Sequence, residues 1–193
     1  MRQLLFFSNN KNKIIEIKKI FNKFNLELLS LYDLKISEEP KENGHTFEEN
    51  AKIKSDYGFN KTGIPCFADD SGICIETLNW KPGVFSKRFL NSFKSSEACF
   101  ENIIKSTKNN GKQNAYFKTS ISLTINEKQN IVFNGKIEGK ISEKVKGGFG
   151  FGYDPIFIPK YYKKTLAEIS TRKKNKISHR SIAVTKLINF LSN

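Results

Sequence analysis

The sequence predicts an α/β fold in which helices flank a sheet of mixed parallel and antiparallel strands. Two strand–helix units come first, and each joins a short apolar segment to a run with helical periodicity. Residues 115–125 then alternate between apolar and polar, and a turn leads from them into another strand at 131–141. Strand–helix units favour parallel strands, whereas a hairpin forms an antiparallel pair, so together they predict a mixed sheet.

The first unit joins the apolar strand Leu4-Leu5-Phe6-Phe7 to a helix through Ser8-Asn9-Asn10, which offers an N-cap. The helix stripe has spacings of three and four: Ile14, Ile17, Phe21 and Phe24. Free amides at a helix N-terminus bind anions, and Lys11 and Lys13 add positive charge there. The loop lacks the glycines of a Walker motif, so a plain capped helix is the alternative.

The second unit places a polar loop before its helix. A strand at 26–30 precedes the loop at 37–44, and Thr46 then caps a helix that runs to about Lys61, with Glu49 in the capping-box position. Glu42, near the start of this helix, is a candidate metal ligand. The alternative is an exposed loop glutamate.

Asp69-Asp70-Ser71-Gly72 lies between two short apolar segments that have the length of buried strands. Adjacent carboxylates repel each other and lose hydration on burial unless positive charge lies close by. Mg²⁺ suits such a pair, because it prefers carboxylate oxygens together with water and substrate phosphates. Asp, Ser and Gly also form turns, so these residues alone predict either a tight turn between two strands or a metal-binding loop.

Later elements include two loops with binding potential. The aromatic and basic loop at 80–89 is either a packed surface loop or a contact with substrate or another subunit. After a third helix at 96–107 and the hairpin, the loop at 147–155 combines four glycines with three aromatic residues, so its backbone can approach a flat ligand. A short strand at 156–158 and a short helix at 165–169 follow.

Ser178 is a suitable N-cap for the last helix, whose apolar stripe is Val184, Leu187, Ile188 and Leu191. His179 and Arg180 fall off this stripe. Taken alone, the pattern predicts a capped terminal helix with a solvated face.

Composition predicts a globular protein without a membrane span. The chain has 193 residues, 38% of them hydrophobic, and a mean hydropathy of −0.48. No apolar run is long enough to cross a bilayer, and we expect no signal peptide. Its three cysteines lack metal-type spacing, and an odd count argues against a disulfide framework, so we expect buried free thiols and a cytoplasmic location.

The net charge of +14 would suit nucleic acid or another polyanion. However, lysine is spread along the whole chain, and Asn, Ile and Phe are also abundant, as in a protein from an AT-rich genome. We therefore interpret the charge as compositional background, with a minority of lysines that bind phosphate.

Taken together, five motifs resemble the inosine triphosphate pyrophosphatases, which hydrolyse nonstandard purine nucleoside triphosphates. They follow the family's order and spacing over nearly the whole chain: Ser8-x-Asn10-x-x-Lys13, Phe67-Ala68-Asp69-Asp70-Ser71-Gly72, Pro82-Gly83-Val84-Phe85-Ser86, Gly150-Phe151-Gly152-Tyr153-Asp154-Pro155-Ile156-Phe157 and Ile177-Ser178-His179-Arg180. The chain departs from the family at Asn12, near which glycine is common.

The resemblance implies a single domain over residues 1–193, with an elongated two-lobed fold and a cleft between the lobes. It also implies a homodimer, a requirement for Mg²⁺, and the products nucleoside monophosphate and pyrophosphate. The substrate would be ITP, dITP or XTP. A 6-oxo purine accepts a hydrogen bond where adenine donates one, so a donor in the pocket would reject ATP.

The resemblance also assigns roles to residues. Asp70 would hold Mg²⁺ with Glu42, supported by Asp69, and Asp70 would also be the base for the attacking water. Lys13 and Lys54 would be the catalytic lysines. The triphosphate would lie on the N-terminal loop and nearby lysines: Ser8, Asn9, Asn10, Lys11, Asn12, Lys13, Lys54 and Lys174. The nucleoside pocket would be shaped by Ser71, Phe151, Gly152, Tyr153, Asp154, His179 and Arg180.

Three alternatives compete with this assignment. A Maf-type nucleotide pyrophosphatase would share the reaction with another base preference, but Phe151-Gly152-Tyr153-Asp154 and Ser178-His179-Arg180 speak against it. A non-catalytic basic module that binds nucleic acid would suit the charge, but Asp69 and Asp70 would repel phosphate. A catalytically dead relative conflicts with the competent side chain at every key position. We expect no stable nucleic-acid partner.

Overall fold

The computed structural model describes residues 3–21 and 27–192, and Phe24 and Leu26 of the predicted elements lie outside them. The chain divides into two compact units. The first unit comprises the described residues of Met1–Asp70, Thr119–Gly135 and Ser181–Asn193, and the second comprises Ser71–Lys118 and Lys136–Arg180.

Seven strands and six α-helices make up the regular structure of the described residues. The strands are β1 (Gln3–Phe6), β2 (Glu27–Ser30), β3 (Cys66–Ile75), β4 (Lys81–Pro82), β5 (Asn114–Asn126), β6 (Gln129–Ile141) and β7 (Phe157–Pro159). The helices are α1 (Lys11–Phe21), α2 (Phe47–Thr62), α3 (Ser86–Asn91), α4 (Ser96–Asn110), α5 (Thr171–Ile177) and α6 (His179–Ser192). Short 3₁₀ turns occur at Glu76–Leu78, Gly83–Phe85, Asp154–Ile156 and Leu166–Glu168.

The strand order is β2-β1-β3-β5-β6-β7, and β4 pairs with β3 outside this path. Strand β1 is parallel to β2, with Leu4 opposite Leu28, and parallel to β3. Strands β4 and β7 are antiparallel to β3 and β6, respectively. The predicted α/β class and mixed sheet are therefore confirmed.

The core of the first unit forms where α1 and α6 pack on apolar strand residues. The ring of Phe67 stacks on Phe6 at 4.8 Å and on Phe21 at 5.7 Å between centroids. The predicted helix stripes fill this core, with Ile14 and Ile17 from α1 and Val184 and Leu187 from α6 all buried. This packing fixes the end of β1 and the start of α1, from which the residues at 8–13 project.

The core of the second unit forms around α4, β5 and the segment at 153–157. Phe100 and Ile103 from α4 are buried, and Phe117 from β5 meets Phe157 edge-on at 4.8 Å. The three cysteines, Cys66, Cys74 and Cys99, are free and buried, as expected of small apolar residues.

The predicted caps at the starts of α1 and α2 are present. The Thr46 hydroxyl accepts from the amide of Glu49, and the Glu49 carboxylate accepts from the amide of Thr46, which completes the capping box. In α1 the cap is Asn10, whose Oδ1 accepts from the amide of Lys13 at 3.2 Å. Asn12 lies inside α1 with helical geometry, so its position has no need of the backbone freedom of glycine.

Asp69-Asp70-Ser71-Gly72 forms no turn, and the predicted turn between two strands is wrong. All four residues lie within the continuous strand β3. Gly72 is needed for close packing, since a Cβ there would lie 2.2 Å from the carbonyl oxygen of Gly83 and 2.4 Å from Ser86 Oγ. Asp-Asp-Ser-Gly therefore resembles a turn only in its residue types. The two aspartates are buried in a strand, and the glycine lies where two backbone segments come close together.

Two further segments differ from the prediction. Residues 80–89, predicted as a loop, contain β4, a 3₁₀ turn and the start of α3, where Ser86 Oγ accepts from the amide of Ile73 at 2.9 Å. The basic run after Ser170 forms α5, which was not predicted. In α5 the buried side chain is that of Lys174, which an ion pair holds, so the segment has no apolar stripe for periodicity to detect.

No helix in the described part of the chain is long and apolar enough to cross a membrane.

The close approach at Gly72 predicts a stability effect. We expect Gly72→Ala to lower the free energy of unfolding by about 1–3 kcal/mol, because the backbone of residue 83 must move to admit the methyl group. At Gly148 an added Cβ would meet nothing within 4 Å, so Gly148→Ala is the matched control and should change stability little. Urea unfolding of both variants measures the difference, and equal midpoints would contradict this account of Gly72.

Candidate active site

The N-terminal loop of the first unit is ordered by its own polar side chains. Ser8 is buried, and its hydroxyl accepts from the amide of Asn10 at 3.2 Å. Asn9 faces the loop at 37–39 instead, donating through its amide to Glu39 Oε1 at 3.1 Å and through Nδ2 to the carbonyl of Ser37. Lys11 and Asn12 are exposed on the first turn of α1. The loop therefore presents Ser8, Asn10 and the first helical turn as its candidate anion site.

Asp69 lies between two ammonium groups. Its side chain is fully buried, and Lys13 Nζ lies 3.0 Å from its Oδ1. Its main-chain carbonyl accepts from Lys54 Nζ at 2.8 Å. These two lysines come from different helices, α1 and α2, and β3 brings Asp69 to both.

Asp70 and Glu42 share the second lysine. Lys54 Nζ lies 3.0 Å from Glu42 Oε1, and the Lys54 side chain is almost completely buried. Burial by itself would lower the pKa of Lys54, but the nearby carboxylates of Asp70, Glu42 and Asp69 raise it above its ordinary value. Lys54 therefore remains a cation inside the protein.

For the carboxyl of Asp70, the effect of burial on the pKa is larger than the effect of the neighbouring charges. Burial raises the pKa of Asp70 above its ordinary value, and the ammonium groups of Lys54 and Lys13 offset only part of this effect. An aspartate with a raised pKa holds a proton more readily than an exposed one. This property suits a group that accepts a proton from water.

We call Lys13, Glu42, Lys54, Asp69 and Asp70 the carboxylate–lysine cluster. Its three carboxylates and two ammonium groups sum to a formal charge of −1 when all are ionised. Among the described residues, no group of three or more His, Cys, Asp or Glu side chains has an arrangement that could hold a metal alone. Mg²⁺, however, commonly takes one or two carboxylates together with substrate phosphates, which Asp70 and Glu42 can provide.

Asn50 contacts this cluster, although sequence reasoning missed it. This buried residue donates from Nδ2 to Asp70 Oδ2 at 3.3 Å, and its Oδ1 accepts from the amide of Gly44 at 2.8 Å. It therefore links Asp70 to the loop that carries Glu42. The available signal was its spacing, because Asn50 precedes Lys54 by four residues and so shares its helix face.

In the second unit, Asp154 and Lys174 form a buried ion pair. Lys174 Nζ lies 2.6 Å from Asp154 Oδ2, and both side chains are almost fully buried. The same oxygen accepts from the amide of Phe151 at 2.9 Å. Gly150 makes this possible, since its φ is +82° and a Cβ there would lie 2.1 Å from Asp154 Oδ2.

Two cations flank the ring of Phe151. Lys174 Nζ lies 4.8 Å and Arg180 Cζ lies 5.5 Å from the ring centroid. Arg180 also donates to Ser71 Oγ at 2.9 Å. We call Ser71, Phe151, Asp154, Lys174 and Arg180 the Phe151 cluster. It combines a half-buried aromatic ring with fixed hydrogen-bond donors, which suits a flat, polar ligand.

His179 and Arg180 are buried, so the predicted solvated face at the start of α6 is wrong. The imidazole of His179 stacks on Phe117 at 4.6 Å with an interplanar angle of 8°, and Arg180 reaches Phe151 and Ser71. Periodicity within one helix could not show this, because the covering residues come from β3, β5 and the loop at 151.

Tyr153 has a supporting role in this arrangement. Its hydroxyl donates to the carbonyl of Ser86 at 2.8 Å, and burial raises its pKa. Gly152 is exposed with a φ of +63°.

The predicted site residues therefore fall into two sets. The first unit brings together Ser8, Asn10, Lys13, Glu42, Lys54, Asp69 and Asp70, while Asn9 anchors a loop and Lys11 and Asn12 stay exposed. The second unit brings together Ser71, Phe151, Asp154, Lys174 and Arg180, with His179 and Tyr153 beside them. Lys174 lies in this second set, paired with Asp154. Asp70 and Ser71 are consecutive residues of β3.

The chain is similar to known proteins over nearly its whole length. The Ham1 family profile matches residues 4–190. A dITP/XTP pyrophosphatase from Christiangramia forsetii is 43% identical over 190 residues, which cover 98% of this chain and 99% of that protein.

Solved structures give the same result. A HAM1 protein from Coxiella burnetii has a TM-score of 0.89 and 32% identity, covering 100% of this chain and 99% of that one. The Staphylococcus aureus Ham1 protein has a TM-score of 0.87 and 35% identity, covering 99% of this chain and 98% of that one. The family resemblance inferred from the five motifs is thereby confirmed, and the chain belongs to the Ham1 family.

Proposed function

We propose that this protein hydrolyses noncanonical purine nucleoside triphosphates, ITP, dITP and XTP, to the nucleoside monophosphate and pyrophosphate. The observation that carries the proposal is the carboxylate–lysine cluster, in which adjacent buried acids are held by two lysines from separate helices. The dITP/XTP pyrophosphatase activity named for the Christiangramia forsetii relative supports the same reaction.

In this proposal the carboxylate–lysine cluster of the first unit handles the triphosphate. Ser8, Asn10 and the first turn of α1 provide donors for phosphate oxygens, and Lys13 and Lys54 neutralise charge that develops during phosphoryl transfer. Asp70 accepts the proton of the water that attacks between the α- and β-phosphates. Asn50 orients the Asp70 carboxylate for that step.

The cluster fits a requirement for Mg²⁺, because its formal charge of −1 and its oxygen donors favour a hard cation. Asp70 and Glu42 would hold the ion, with Asp69 supporting them. When bound, Mg²⁺ would offset phosphate charge and make the attacking water more acidic.

The Phe151 cluster of the second unit would receive the base. A purine ring would stack near Phe151, while Arg180 and Lys174 supply the positive, donor-rich surroundings that a 6-oxo group prefers. Asp154 holds Lys174 in place, and stacking on Phe117 fixes His179. We also propose that the protein is a cytoplasmic homodimer that cleanses the nucleotide pool.

One test of this function concerns the reaction and its key carboxylate. We expect pyrophosphate release from ITP in the presence of Mg²⁺, and a fall of at least about a hundredfold in kcat for Asp70→Asn, because the variant removes both the base and a metal ligand. The fold should survive, because Asn has nearly the shape of Asp and its side-chain oxygen can still accept from Asn50 Nδ2. Colorimetric detection of pyrophosphate measures the rates.

Asp33→Asn is the matched control, because Asp33 is a half-exposed acid of the same unit that pairs with Lys18. It should keep full activity. A folded Asp70→Asn variant with native kcat would refute the assignment of Asp70, whereas no release from ITP or XTP by the native chain would refute the proposed reaction itself.

Another test concerns base selection. We expect kcat/KM for ITP and XTP to exceed that for ATP by at least about a hundredfold, because donors near Phe151 would face the amino group of adenine without an acceptor. Parallel assays with ITP, XTP, GTP and ATP provide the ratios. Comparable turnover of ATP and ITP would rule out this basis of selection.

A further inference from the structure

A cavity of about 590 Å³ lies in the second unit and shares no residue with the Phe151 cluster. Its lining combines aromatic rings with lysines: Trp80, Tyr116, Lys136, Lys140, Lys160 and Tyr161. This volume falls in the range of small-ligand pockets. We call it the aromatic–lysine cavity.

Two aromatic side chains of this cavity are open to solvent. Trp80 is 47% exposed and Tyr161 is 92% exposed. The Trp80 ring lies 5.5 Å from that of Tyr116, so the two form one aromatic surface. Exposed aromatic rings on one wall of a cavity provide stacking surfaces for a flat ligand.

The lysines give the cavity a positive charge. Lys136 Nζ lies 4.4 Å above the ring of Tyr116, and Lys160 Nζ lies 5.4 Å from the ring of Tyr161. Both lysines also lie near Glu138, at 3.0 and 3.7 Å. Three lysines and one glutamate leave a formal charge of +2, which matches the charge of a phosphate monoester near neutral pH.

Backbone conformation supports a role for this wall. Trp80 and Tyr161 have φ values of +63° and +69°, a region that bulky residues rarely adopt. Tyr161 buries little surface that could compensate for this strain. Retained strain of this kind is commonest at binding sites.

We propose that the aromatic–lysine cavity is a second nucleotide site, which binds a nucleoside monophosphate outside the cluster assigned to catalysis. The base stacks against Trp80 and Tyr161, and the phosphate lies among Lys136, Lys140 and Lys160. A second copy of this chain is a poorer occupant, because two such surfaces of charge +2 would repel each other across a symmetric interface.

Intrinsic fluorescence tests this site directly, since Trp80 is the only tryptophan of the chain. We expect IMP to change the Trp80 emission saturably, and inosine and inorganic phosphate to have much weaker effects because each provides only half of the ligand. The measurement requires no hydrolysis, so its result is independent of the catalytic proposal.

Two variants should weaken the response to IMP. Lys136→Met with Lys160→Met removes two positive charges and should raise the apparent Kd about tenfold. Tyr161→Gly removes the exposed ring, suits the positive φ, and should raise Kd about fivefold or more. The matched controls are Lys105→Met with Lys108→Met, two exposed lysines of α4 outside the cavity, which should leave Kd unchanged.

Phe151→Ala separates this site from the proposed catalytic one and should also leave the IMP titration unchanged. The proposal is overturned if IMP gives no saturable change, if inosine acts as strongly as IMP, or if the cavity variants bind like the native chain. It is equally overturned if Phe151→Ala abolishes the response, or if only a single-stranded oligonucleotide produces one.

Discussion

The burial of Asp69 and Asp70 as neighbours in β3 is the constraint on which the first unit depends. Successive residues of a strand point to opposite faces, so the two carboxylates need separate partners, and the chain provides Lys13 from α1 and Lys54 from α2. Desolvation would be costly for an unpaired carboxylate, which ties the positions of both helices to the strand. The two lysines do not neutralise all the carboxylates, because Glu42 adds a third carboxylate beside Lys54. The folded protein thus retains a net negative charge that a bound cation can neutralise.

The second unit also buries an aspartate beside a lysine, but the effect there is different. Asp154 and Lys174 neutralise each other in the interior, and the amide of Phe151 is a second partner of the carboxylate. The charges of this pair sum to zero, so it has no need of a metal ion for neutralisation. Its effect is to fix the Phe151 ring and to keep a cation at its face, where Arg180 supplies another. Charge in the first unit therefore favours phosphate chemistry, and charge in the second unit favours recognition of a flat polar ring.

The sequence predicted those parts of the protein that depend on local pattern. Strand–helix order, the capping box at Thr46 and the described stripes of α1 and α6 follow from spacing within one element, and the structure confirms them. Long-range contacts could not be derived in this way. Gly72 is a residue type typical of turns, but here it allows the backbone of residue 83 to come close. Helix α5 is held by an ion pair with a distant residue. His179 seemed solvated because its cover comes from Phe117, far away in sequence. The motif resemblance named most candidate residues, whereas Asn50 emerged only from its contacts.

The central claim is that the carboxylate–lysine cluster binds triphosphate together with Mg²⁺ because its own charge is −1. Calorimetric binding of an ITP analogue with a methylene group between the α- and β-phosphorus atoms tests this claim most directly. In the native chain, Mg²⁺ should tighten binding at least about tenfold. In Asp70→Asn, whose cluster is formally neutral, metal-free binding should be tighter than in the native chain and the gain from Mg²⁺ smaller. Equal affinity with and without Mg²⁺ in the native chain, or an undiminished gain in Asp70→Asn, would contradict the account.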